Sequence, residues 1–153
     1  MSTGPLDDLP YKIHTGRELA LMLKGSKPLA YFSDTFPSAS DVEVIPEKLF
    51  DPYVKQGRFV KRAHAISADD CGPELQRLGR GMRILMYALP NQRWRIDAMI
   101  LLLHTAAKCG WSEGFERIQG SLLGYEDLQN DIYIEKIYRP ACEKRKGQHT
   151  GKL

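Results

Sequence analysis

The sequence predicts an α+β fold: a small three-stranded sheet, antiparallel or mixed, packed on a C-terminal layer of three helices, in the order α-β-(α)-β-β-α-α-α. Three observations carry this. Met82 to Leu89 is apolar on both sides of its alternation, as a central strand requires. Ile96, Met99, Leu103 and Ala107 then recur at helical spacing. Beyond them, Gly110, Gly124 and Pro140 divide the remaining chain into helix-sized lengths. Strand and helix adjacent in sequence are expected to form the centre of the core, because a sheet and a helix each bury one apolar face against the other.

The elements follow in order. Thr15 and Glu18 fit a capping box, Leu19, Met22 and Leu23 share one helical face, and Gly25 suits a helix stop, which predicts a helix over 16–24. Pro28 to Ser33 reads as a strand opened by proline. Residues 34–45 read as a loop. Asp51-Pro52 resembles an N-cap and first-turn proline, so a helical segment over 47–56 is expected to kink or split there. Arg58 to Ile66 reads as a strand, and 74–78 as one helical turn after the breaker Cys71-Gly72-Pro73. The helix before Gly110 also carries Ile100, Leu101 and Leu102, so it is apolar nearly all round and is expected to be deeply buried. Ser112 caps the next helix, with Phe115, Ile118 and Leu122 inward. A last helix over 126–138 places Leu128, Ile132 and Ile137 inward and stops at Pro140.

With 153 residues, 42% apolar and 27% charged, the chain suits one globular unit. We expect a flexible arm over 1–12, a single domain over 13–140 and a basic, disordered tail over 141–153. Cys71, Cys109 and Cys142 are odd in number, far apart and lack a CxxC pair, which argues against a disulfide framework and a zinc knuckle. Met1 to Pro5 has neither a basic nor an apolar leader region, and the run Ala98–Leu103 is far below the roughly 18 residues of a membrane span. A cytoplasmic protein with no membrane contact, no cofactor and no metal is the expectation.

Charge alternates in blocks: net −2 over 1–57, +5 over 58–95, −4 over 96–138 and +4 over 139–153. If the strands of the basic block pair, Arg58, Lys61, Arg62 and Arg83 share a sheet surface, with Arg77 and Arg80 at its rim and Trp94 nearby. Cations among aromatics neutralise phosphates and stack bases. The competing reading is a solvated face, or cations paired with acidic helices. Tyr133 and Tyr138 offer an aromatic surface of the kind that anchors a protein partner.

Catalytic patterns are sparse. His104 lies two turns after Asp97 on one face, the one candidate for a general base; a satisfied boundary histidine is the simpler reading. His104 and Cys109 are five apart and miss a shared face. Cys71 follows Asp69 and Asp70, which opposes a thiolate. The hydroxyl-rich loop Ser33 to Asp41 has no nucleophile signature, and Gly79-Arg80-Gly81 has the wrong flanks for a phosphate loop. Three functions remain: a non-catalytic protein that binds another protein, a nucleic-acid-binding regulator using the 58–95 surface, or a small enzyme with a pocket at His104 and Asp97. The first is preferred for want of a catalytic constellation.

Overall fold

The computed structural model describes residues 4–37 and 43–150, with side chains through Gln148. Its elements are α1 (Glu18–Leu23), β1 (Leu29–Phe36), α2 (Glu47–Lys55), β2 (Val60–Ile66), α3 (Pro73–Arg77), β3 (Gly81–Ala88), α4 (Trp94–Cys109), α5 (Glu113–Leu122), α6 (Asp127–Tyr133) and α7 (Arg139–Thr150). The three strands form one antiparallel sheet in the order β1-β3-β2, with the apolar β3 in the centre as its composition requires. Leu85 sits between Phe32 and Ala63, and this register decides which side chains share a face.

The C-terminal layer packs as expected. Leu29, Ile84, Met86 and Ala88 meet Ile96, Met99 and Leu102 of α4 and Leu122 of α5. The opposite sheet face is covered too: Ala30, Leu85 and Tyr87 pack with Met22 of α1 and Phe50 of α2. The N-terminal helices therefore form a second layer, and β3 is buried on both sides, which is why it reads as a continuous apolar run.

Several local expectations are corrected. The Thr15–Glu18 capping box does not form; Gly16 has φ +80°, outside the helical region, so α1 starts only at Glu18 with Arg17 as an uncapped N-cap. Gly25 does end the helix: its N–H donates to Met22 and that of Ser26 to Leu21, and its φ of +77° is the left-handed turn that glycine adopts freely. β1 extends through Phe36 into the expected loop, of which 38–42 lie outside the described residues. α2 runs unbroken through Pro52, since proline removes one helical bond while burial of Phe50 holds both turns in place.

α4 is not buried all round. Only Ile96, Met99 and Leu102 are enclosed, while Leu101 is 67% exposed, because the sheet covers one side of the helix and Leu101, two residues after Met99, lies on the opposite side. Ile118 and Leu128 are exposed, and Asn130 and Ile134 take the inward positions instead. Helix also continues past Pro140. A π-turn over Ile134–Tyr138 precedes it, and the wider turn relieves the clash of the proline ring with the carbonyl one turn back, so α7 runs to Thr150 where an irregular basic tail was expected.

Candidate functional site

The basic stretch does not assemble into one surface. Strand parity sends Lys61 and Arg83 to the α2 side and Arg62 to the α4 side. Lys61 Nζ donates to Glu47 at 2.9 Å and Asp51 at 2.8 Å, and Arg83 pairs with Glu47 at 2.6 Å. Arg62 is paired with Asp97. These bonds hold the Glu47 carboxyl below its ordinary range, through Arg83 first and then Lys61, and that of Asp51 likewise through Lys61. Arg58 lies over the Tyr53 ring at 5.4 Å, Arg77 is exposed on α3, and the backbone N–H of Arg80 closes that helix on Leu75. Trp94 is 55% exposed, with the Arg95 guanidinium 4.8 Å from its ring. Arg95 itself donates to the carbonyls of Ser121 and Leu122, tying the start of α4 to the end of α5.

Asp97 and His104 do not form an acid-base couple. The carboxylate is engaged by Arg62, and the exposed His104 lies against His64. Cys71, Cys109 and Cys142 are free thiols. Among the described residues no group of three or more His, Cys, Asp or Glu is arranged around a metal position, and no helix is long and apolar enough to cross a membrane.

The best-formed concavity lies elsewhere. A cleft of about 190 Å³ opens between residues 6–15 and the α5–α6 hairpin, lined by Tyr11, Tyr125, Tyr133, Asn130, Gly120 and Glu116 among others. The N-terminal stretch, expected as a loose arm up to residue 12, is tied down here. Tyr11 Oη donates to the Gln129 carbonyl at 3.0 Å, and the His14 N–H donates to Tyr125 Oη at 2.8 Å. The His14 ring stacks on Tyr125 at 3.9 Å and 9°, while Tyr11 meets the same ring edge-on at 6.2 Å. Burial pushes the Tyr11, Tyr125 and Tyr133 phenols up, so all three are neutral at physiological pH.

The floor is made by a close approach of two helices. A Cβ on Gly120 would stand 2.0 Å from Asn130 Oδ1, so only glycine lets the buried amide of Asn130 lie there; its Nδ2 donates to Ser121 Oγ at 3.1 Å. Behind the cleft wall, Lys27 is 2% exposed and donates to His14 Nδ1 at 2.9 Å and to the Leu123 carbonyl at 2.8 Å. Because the ammonium donates to Nδ1, the imidazole is neutral and carries its proton on Nε2. Burial first, then Lys27 and Arg17, lower the His14 pKa to about 4; burial lowers Lys27 to about 8.

Of the residues singled out in the sequence, Tyr133 alone lines this cleft; Tyr138 lies beyond it, beside Cys142. Tyr11, Tyr125, Asn130 and Gly120 were missed. The one signal for them was Gly120 within a helix, a position that glycine weakens unless something approaches closely. Comparison of the chain with protein-family models, curated proteins and solved structures finds no match.

Proposed function

We propose that this chain is a non-catalytic binding protein that takes one apolar or aromatic side chain of a partner polypeptide into the Tyr11–Tyr125–Tyr133 cleft. The observation that carries the reading is the cleft itself: three neutral phenols around about 190 Å³. That volume is below the roughly 300–1,000 Å³ usual for small-molecule sites and suits a single side chain. Tyrosine combines a large apolar face with a hydroxyl and is favoured where interfaces concentrate their energy. The nucleic-acid alternative is weakened because Lys61, Arg62 and Arg83 are already paired with carboxylates on two different sheet faces. Three cysteines outside any disulfide fit work in the reducing cytoplasm.

The test is affinity capture from nuclease-treated lysate with the native chain and Tyr133→Ala side by side, each checked for folding by circular dichroism. The expected outcome is a protein that the native chain retains and the folded variant loses. Capture that disappears with nuclease treatment, or that Tyr133→Ala leaves unchanged, rules the reading out.

A further inference from the structure

We infer that His64 and His104 form a two-imidazole site for a borderline transition-metal ion such as Zn²⁺ or Cu²⁺, with the remaining coordination positions open to solvent or a small ligand. The pair lies on the α4 side of the sheet, and nothing in it depends on the tyrosine cleft. Strand parity turns His64 toward α4 together with Arg62, two residues earlier on β2. On α4, Asp97 and His104 are two turns apart along one stripe. The Arg62–Asp97 ion pair and the His64–His104 contact are therefore successive cross-links between the same strand and helix. The first sets the spacing at which the second must meet.

Two features distinguish this contact from simple packing. The ring centroids are 5.2 Å apart with planes inclined at 56°. Two imidazoles sharing a tetrahedral ion at metal–nitrogen distances of about 2.0–2.1 Å place their centroids roughly 5 Å apart. The His14–Tyr125 pair shows the alternative, with rings 3.9 Å apart at 9°. Second, His64 Nε2 is enclosed and has no hydrogen-bond partner among the described residues. A buried polar atom without a partner calls for an explanation, and an ion is one of the few available.

Imidazole nitrogen selects Zn²⁺, Cu²⁺ and Ni²⁺ over Mg²⁺ or Ca²⁺, which prefer oxygen. With no third His, Cys, Asp or Glu arranged nearby among the described residues, the protein supplies two ligands and leaves the ion accessible through the exposed His104. The helical spacing rules applied to the sequence consider partners three or four residues apart, and these two are forty apart on different elements.

Calorimetric titration of the chelator-treated chain with ZnCl₂ tests this, with Cu²⁺ electron paramagnetic resonance counting nitrogen ligands. Saturable uptake of one ion is expected, weakened about tenfold or more by His104→Ala and by His64→Gln, and unaffected by His149→Ala. His104 is exposed, so its removal leaves the fold intact and that variant is decisive. Absence of saturable uptake, or uptake of equal strength in His104→Ala, overturns the site, as does loss confined to His149→Ala.

Discussion

Lys61 and Lys27 bring their ammonium groups to nearly the same distance from a tyrosine ring, 5.7 Å from Tyr87 and 5.8 Å from Tyr125, yet their electrostatics are opposite. Burial lowers both. At Lys61 the carboxylates of Asp51 and Glu47 outweigh that effect and raise its pKa above the ordinary lysine value. Lys27 has a neutral imidazole and a carbonyl as its hydrogen-bond acceptors, so burial prevails and its pKa falls to about 8. Depth and partner act together: Lys27 is fully buried and has no carboxylate bonded to it among the described residues, whereas the partly exposed Lys61 has two. The two lysines also join different parts. Lys61 fastens α2 to the β2–β3 half of the sheet, whereas Lys27 fastens the entry of β1 to the end of α5 and to the segment that walls the cleft.

Glycine substitutions at the helix ends in these two regions break the symmetry most strongly. Gly124 follows α5 with φ +94°, and a Cβ there would stand 2.5 Å from Cδ of Pro28, the neighbour of Lys27. Gly57 follows α2 with φ +74° and open space around it. Alanine at position 57 meets the left-handed backbone cost of about 1–2 kcal/mol. Alanine at position 124 adds an overpacking cost and should total about 3 kcal/mol. Urea midpoints of Gly124→Ala and Gly57→Ala measure the difference. Equal losses would show that the α5–β1 junction relaxes freely and that Lys27 is not held by a rigid approach.

Removing the lysines themselves gives a smaller contrast. Lys61→Ala leaves Glu47 paired with Arg83 and Asp51 accepting from Tyr87 Oη at 3.0 Å, so the cost is about 1 kcal/mol. Lys27→Ala strips the donor from His14 Nδ1 and from the Leu123 carbonyl and opens a space in the interior. That costs about 2–3 kcal/mol. A larger loss at Lys61 would mean that the ionic network, and not the neutral one, is the more tightly coupled.

The sequence made one of these regions legible and hid the other. The apolar run of β3, the helical spacing of Ile96 and Met99 and the glycine stops are local signals, and they placed the strands and most helices correctly. The basic residues of β2 and β3 were visible, but their sorting between two sheet faces depends on register, and their acid partners lie on α2 and α4. The cleft was nearly invisible. Tyr11 and Tyr125 are 114 residues apart, and Asn130 reads as a surface residue until Gly120 lets it in. The exposure of Leu101 and Leu128 shows the same limit from the other side: an apolar residue in a helix does not reveal which side its neighbours cover.

Acid titration separates the two regions by where on the pH scale each one fails. The His14 pKa is about 4 in the folded chain against an ordinary 6.5, so the unfolded chain binds more protons between those values. Its contribution is complete above pH 6.5 and is lost as pH falls toward 4. Glu47 and Asp51 also have lowered pKa values, so their contribution is lost later, as pH falls below the ordinary carboxylate range. Denaturant midpoints followed downward from neutral pH should therefore fall in two stages. Solvent reaches part of the half-buried His14 ring, and the first stage is accordingly only about 1 kcal/mol. His14→Gln should flatten the first stage and keep the second; Glu47→Gln should keep the first and reduce the second to the share of Asp51. The order is forced by the partners: protonating His14 sets a cation against the Lys27 ammonium, while protonating Glu47 withdraws an anion from between Lys61 and Arg83. A His14→Gln profile that superimposes on that of the native chain would mean that the N-terminal segment detaches without cost to folding, and that the cleft it walls is not a fixed feature of the protein.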